Sequence, residues 1–343
     1  MTAPPGQLSP VTPGGPRRRQ LRRVLAGLAA AAFTAGCAAF TLPDLVGLDK
    51  RSPFVQLVAF RQWELVADVG LLAILLILNR FFCRARAFLV PSAAGVLVVI
   101  LAGASIVLPR AIAKPAPTTG TPLTVLSFNT FKGGADVQAL AAIIAARQPD
   151  LVSLPEAGPR FAAKLGPLVE PFGYRIETSR DRGADVDSVT ALVSNRLGDV
   201  TVRIGKETKA FPYLEITGGA LGSLRFVAFH AAGPTPGDVG SWEHDLGVLP
   251  RWCTGSTPAI VAGDFNATLD HSVLREGMAG CSDAAAQRGD GLIPTWSPTP
   301  GSQFFGPQID HVILTPGIQA ETFDVLDSAG SDHRPILTRL RLP

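Results

Sequence analysis

The feature that most limits the fold of this chain is an uncharged run over residues 24–42, set directly behind Arg17, Arg18, Arg19, Arg22 and Arg23. A helix rises about 1.5 Å per residue and a bilayer's hydrocarbon core is about 30 Å thick, so about 20 residues cross it. Two more apolar stretches follow, at 60–78 and 87–108. Lipid offers the backbone no hydrogen-bond partner, so each stretch reads as a helix and the region 24–110 as three transmembrane helices. The middle one is interrupted by Arg61, Glu64 and Asp68 at helical spacing. Arg61 and Glu64 are expected at headgroup level, and Asp68 toward the other helices.

Charge supplies an orientation. Hydrophobic residues make up 47% of the 343 residues and charged ones 17%, against about 25% charged in an ordinary soluble domain. Such a composition excludes a disordered chain. The formal net charge of +3 hides a split. Residues 1–110 hold 12 basic and 4 acidic side chains, and residues 111–343 hold 19 and 24. Arg17 to Arg23 fall on one side of the membrane with Arg80, Arg84 and Arg86. Lys50, Arg51, Arg110 and Lys114 fall on the other, diluted by Asp44 and Asp49. The positive-inside rule then places the N terminus in the cytoplasm and everything after Leu108 outside. A cleaved secretory signal, or lipid attachment at Cys37, is the competing reading of the first run. Cys253 and Cys281 are free to pair in an oxidising compartment, but their spacing alone does not separate a bridge from two buried thiols.

Residues 1–23 read as a disordered basic tail, 111–121 as a Pro-rich linker, and 122–343 as the folded domain. In that domain short apolar runs alternate with Gly, Pro, Asn and Asp. Strands are expected at 123–128, 151–154, 189–193, 224–229, 259–262, 311–314 and 336–340. Helices are expected at 136–147, 239–252 and 272–278. Many strands with few helices favour an α/β (α+β) layered sandwich over a regular βαβ series.

Most of these strands end in polar residues. LSFNT ends in Asn129, LVSLPE in Glu156, RFVAFH in His230 and AIVAGDFN in Asp264 and Asn266. QIDHV supplies Asp310 and His311, and SDHRP supplies Ser331, Asp332 and His333. Each residue alone has an ordinary role, as a turn, a cap or a satisfied histidine. GDFN and SDH are sharper, because an Asp and an Asn two apart on an extended segment point the same way. Carboxylates and an amide delivered by many strands look like one site. Glu156, Asp264 and Asp332 offer hard oxygen ligands that suit Mg²⁺ or Mn²⁺.

Taken in order, SFNT, LPE, AFH, GDFN, IDHV and SDHRP resemble the endonuclease/exonuclease/phosphatase superfamily, whose fold is DNase I-like. The resemblance covers about residues 122–343. It implies a four-layered α/β sandwich and metal-dependent cleavage of a phosphate ester. By matched position, Glu156 resembles the main Mg²⁺ ligand, with Asn129 and Asp332 completing the metal shell. Asp264 resembles the residue that aligns or deprotonates the attacking water, and Asn266 would hold a phosphate oxygen. His333 resembles the imidazole on the scissile phosphate, its tautomer fixed by Asp310, and His230 would help protonate the leaving oxygen. Tyr174 and Tyr213 are poor substitutes for the Tyr of the abasic-site branch. His311 reads as structural and Trp296 as a packing or rim residue.

The expected function is that of a membrane-anchored, metal-dependent phosphodiesterase or nuclease in the cell membrane, its catalytic domain extracytoplasmic. The substrate is a phosphodiester, either nucleic acid or a lipid headgroup. Duplex DNA binding usually brings a basic stripe, and residues 111–343, with 19 basic against 24 acidic side chains, have none. A sphingomyelinase-like lipid phosphodiesterase or a phosphomonoesterase is therefore the alternative. A non-catalytic receptor is disfavoured by the intact polar set.

Overall fold

The computed structural model describes residues 15–299, 304–327 and 329–343. It opens with α1 (Gly15–Thr41), the short α2 (Phe54–Leu57), α3 (Arg61–Phe81) and α4 (Arg86–Val107). Arg17 to Arg23, expected in a disordered tail, lie in α1; residues 1–14 fall outside the described residues. Two helical stretches, Arg17–Thr41 and Cys83–Ala111, are long and apolar enough to cross a membrane. The expected middle span forms α3 but is not among them. Helix α4 packs on both α1 and α3, and the contact depends on small residues. A Cβ on Gly95 would stand 2.1 Å from Thr34 Oγ1, so only glycine lets the two helices approach there.

Arg61 departs from the sequence-based expectation. It is fully buried, donating to the Thr41 carbonyl (2.9 Å) and to Asp270 (3.0 Å) and pairing with Asp44. A guanidinium with fixed protein acceptors has no need of the headgroup layer. Glu64, also expected at headgroup level, is buried beside it, and Asp68 faces inward and accepts from the Thr41 hydroxyl at 2.8 Å.

The folded domain comprises β1 (Thr121–Ser127), α5 (Val137–Arg147), β2 (Leu151–Pro155), α6 (Pro159–Val169), β3 (Tyr174–Thr178), β4 (Val189–Ser194), β5 (Val200–Gly205) and β6 (Tyr213–Gly218). It continues with β7 (Arg225–His230), α7 (Val239–Leu246), α8 (Pro250–Cys253), β8 (Ala259–Asp264), α9 (Ser272–Gly277), β9 (Ser282–Asp283), α10 (Ala284–Arg288), β10 (Asp310–Leu314), β11 (Gln319–Val325) and β12 (Ile336–Leu342). One sheet runs β11-β12-β1-β2-β4-β3 and the other β5-β6-β7-β8-β10-β9. Their facing sides share a core that includes Val125, Ala191, Phe226, Ile260 and Val312. Helices α5 and α6 cover the outer face of the first sheet through Leu140, Ile144 and Phe161. Helices α7, α8 and α9 cover the second through Trp242, Trp252 and Leu274. These are the four layers of a DNase I-like α/β sandwich.

Local chemistry sets the ends of these elements. Asp136 caps α5 by accepting from the Gln138 and Ala139 N–H groups, and Gln148 stops it in the left-handed conformation. The expected helix 239–252 divides into α7 and α8, with Pro250 starting the second. Cys253 and Cys281 are joined by a disulfide, which ties the end of α8 to the approach to β9.

Candidate active site

Strand register sets three side chains in one row. β7 runs parallel to β8 with His230 opposite Asp264, and β8 runs antiparallel to β10 with Asp264 opposite Asp310. In the other sheet the parallel strands β1 and β2 end side by side and release Asn129 and Glu156. Gly263 of the GDFN segment is obligatory, since a Cβ there would stand 1.8 Å from the Phe229 carbonyl oxygen.

Asn129 joins the two sheets. Its Nδ2 donates to Asp264 Oδ2 (2.8 Å) and to Glu156 Oε1 (3.1 Å), while its Oδ1 accepts from the Phe131 N–H (2.9 Å). Glu156 Oε2 accepts from the Lys132 N–H at 2.7 Å. Glu156 and Asn266 have φ of 58° and 48°, a region that costs an ordinary residue about 1–3 kcal/mol and collects at functional sites. Hydrogen bonds hold that conformation at Asn266: its N–H donates to Asp264 Oδ1 (2.8 Å) and its Nδ2 to the Ala231 carbonyl (3.0 Å).

The segment before β12 closes the site. Ser331 Oγ donates to the Asn129 carbonyl (2.8 Å) and accepts from the His333 N–H (3.0 Å). His333 Nδ1 lies 2.8 Å from Asp310 Oδ2, and its Nε2 lies 3.7 Å from Asp264 and 4.0 Å from Asp332. His230 Nε2 lies 3.7 Å from Asp264 and 4.0 Å from Glu156. Asp332 Oδ2 accepts from the Trp296 indole N–H at 2.9 Å, which makes Trp296 part of the rim. All eight residues singled out by sequence are therefore brought together.

The electrostatics separate the two imidazoles. Burial drives the Asp264 carboxyl up to about 7, eased by His333 and reinforced by Asp310. Burial alone would lower His333, but Asp310 and Asp264 outweigh it and push the imidazole up to about 10. His230, desolvated and facing the His333 charge, falls to about 3 and is neutral. The donor set fits a divalent cation. Asp264, Asp310 and His333 present side-chain atoms within 4.8 Å of one another, but a charged His333 has no lone pair for a cation, so carboxylate oxygens are the donors. Asp310 Oδ1 and Asp332 Oδ1 are buried with no hydrogen-bond partner among the described residues. Hard oxygens of this kind suit Mg²⁺ or Mn²⁺.

His311 sits apart, as expected, donating to Asp283 (3.0 Å) and the Ala267 carbonyl (2.9 Å). The Tyr174 and Tyr213 hydroxyls bond the Pro149 carbonyl and Glu207, outside the cluster. Phe211, which nothing in the sequence marks, stacks on His230 with ring centroids 4.0 Å apart. Beyond it lies a hollow of about 390 Å³ lined by Arg180, Lys206 and Lys209. A larger hollow of about 710 Å³, between the linker and the C-terminal strands, shares no residue with the cluster.

Comparison with known proteins follows the geometry. Among curated proteins no match was found. A humanized D. rerio TDP2 is 18% identical, with a TM-score of 0.53 over 64% of this chain and 99% of that one. An endonuclease/exonuclease/phosphatase from Beutenbergia cavernae is 20% identical, with a TM-score of 0.50 over 64% and 72%. D. rerio TDP2 complexed with a single-strand DNA product is 16% identical, with a TM-score of 0.51 over 64% and 99%. At such identities these structures establish the fold. The model of the Endonuclease/Exonuclease/phosphatase family matches residues 126–333, from the end of β1, just ahead of Asn129, to His333 itself. With more than half of its length matched and the whole polar cluster inside the match, the chain belongs to the endonuclease/exonuclease/phosphatase family.

Proposed function

We propose that this chain is a membrane-anchored, divalent-metal-dependent phosphodiesterase whose catalytic domain lies outside the cytoplasm. The observation that carries the reading is the Asn129 amide, which ties Glu156 of one sheet to Asp264 of the other beside two imidazoles. Glu156 and Asp332 would hold the cation, with Asn129 orienting Glu156. A cation there neutralises charge on the phosphoryl oxygens and makes a bound water more acidic.

The chain's own residues do the rest. Asp264, raised to about 7, is a base matched to neutral pH and takes the proton of the attacking water. His333, charged and held by Asp310, donates to the phosphoryl oxygens and supplies the proton to the leaving oxygen. In this reading His230, its pKa pushed down by burial and by His333, is the neutral imidazole, and the leaving-group proton expected of it falls to His333. Asn266, anchored to Ala231, offers its amide to a phosphate oxygen.

The anchoring reading rests on the helices. Val66, Val69, Ile74 and Ile77 of α3 are exposed, as are Leu21, Leu28, Val98 and Leu101 of its neighbours, which suits three spans in lipid. Arg17, Arg18, Arg19, Arg22, Arg23, Arg80, Arg84 and Arg86 collect at the end of the bundle away from the domain. The disulfide agrees with an oxidising compartment. The basic hollow beyond Phe211 also suits nucleic acid, the product bound in the TDP2 complex.

Two assays test the proposal. Full-length protein in detergent should hydrolyse methyl para-nitrophenyl phosphate in Mg²⁺ or Mn²⁺ and stop in chelator; turnover unaffected by chelator refutes the metal role. An alkaline phosphatase fused after Pro343 should be active in cells, and a fluorescent protein there should be dark; the reverse refutes the orientation.

A further inference from the structure

A third hollow, of about 260 Å³, adjoins the catalytic cluster, with Asn266 forming part of its wall. Val55, Ala59 and Phe60 form one side; Pro234, Trp296 and Ile309 form the other. The first three belong to the segment that enters α3, so membrane region and catalytic domain build this slot together. Its polar neighbours are already engaged within the protein. Gln56 donates to the Pro234 carbonyl, His271 to the Val55 carbonyl (2.8 Å), and Asn266 to the Ala231 carbonyl (3.0 Å). The surface left over is apolar. Phe305 extends it, stacked 5.4 Å from the Phe60 ring and tilted against Trp63 at the same distance, with Phe304 exposed alongside.

We infer that this slot takes the hydrocarbon part of a lipid phosphodiester, placing its phosphate beside Asn266 and the imidazoles. The inference rests on the phosphodiesterase reading and names its substrate class. Three observations select a hydrocarbon over a nucleobase. A base needs donors and acceptors, and here those of Gln56 and His271 are used internally. The slot is continuous with a segment that leads into a helix carrying exposed Val66 and Val69. Among the described residues the slot's wall carries no Lys or Arg to meet a polyanion.

The test uses the full chain in detergent with water-soluble para-nitrophenyl alkyl phosphates, from methyl to hexyl, in Mg²⁺. Burial of each methylene should raise kcat/KM about fourfold until the slot is full. Ala59→Trp, which fills the slot, should flatten that dependence, with its melting temperature as the folding control. If that variant does not fold, Phe60→Ala, which lengthens the slot, should move the plateau to a longer chain. A flat wild-type series, an unchanged slope in the folded variants, or thymidine para-nitrophenyl phosphate outrunning the hexyl ester overturns the inference. A separate readout distinguishes failure of the slot from failure of the phosphodiesterase reading. A bromohexyl phosphate should quench tryptophan fluorescence in wild type and much less in Trp296→Phe, whether or not any ester is hydrolysed. Equal quenching in both also overturns the slot.

Discussion

Asp310 decides how His333 behaves. Its Oδ2 accepts from Nδ1 at 2.8 Å, so the proton on that nitrogen is fixed and Nε2 faces Asp264. Asp310→Asn should bring the imidazole down from about 10, because the largest of the three carboxylate contributions that raise it is gone. Titrating the His333 ring by NMR in chelator checks this; an unchanged titration would assign the shift to Asp264 and Asp332. At this scale the sequence was informative where polarity had no structural purpose, as in GDFN and SDHRP. Asn129 was legible only as a strand-end amide, since its bridge between Glu156 and Asp264 depends on sheet packing that no local pattern encodes. Phe211 was illegible: it works through a ring face laid on His230 from a distant loop.

Among the elements, the central strands β2, β4, β7, β8 and β10 are almost wholly buried, and such continuous apolar runs stand out in a sequence. Of the strands that escaped expectation, β9 is only two residues long, and β3, β5, β6 and β11 lie at or next to the sheet edges, carry charges such as Arg175, Arg203, Glu215 and Glu321, and are half exposed. The contact between α9 and the α2 segment makes its own prediction. His271 Nε2 donates to the Val55 carbonyl, while Nδ1 accepts from the Thr268 N–H at 2.9 Å, which leaves no room for a second ring proton. Burial lowers its pKa, despite the acceptors and carboxylates around it. The neutral ring is the folded form, so its contribution is complete above about pH 6.5 and is lost as pH falls toward the folded value. Wild-type protein should therefore lose more of its melting temperature between pH 7.5 and 5.5 than His271→Gln does. Equal losses would show that the ring does not couple the segment to pH.

Across the whole molecule, one carboxylate gathers the N-terminal helices onto the folded domain. Asp270 accepts from Arg61 at the start of α3 (3.0 Å) and from Arg110 just after α4 (2.7 Å), all three buried. Asp270→Ala would strand two guanidinium groups and should destabilise this junction by about 3–5 kcal/mol, measured by denaturant unfolding. A loss under about 1 kcal/mol would mean that Asp44 suffices for Arg61. Apolar runs made the helices plain from sequence; the junction was not, because Arg61 read as a headgroup residue until its acceptors were seen. The same convergence of distant segments underlies the catalytic account, which stands or falls with His333 and Glu156. The most direct measurement is turnover of methyl para-nitrophenyl phosphate in Mg²⁺ by purified wild type, His333→Ala and Glu156→Ala at matched melting temperature. Losses of about 10²–10⁴ in kcat for both variants are predicted. Wild-type turnover in folded His333→Ala or Glu156→Ala would contradict the site.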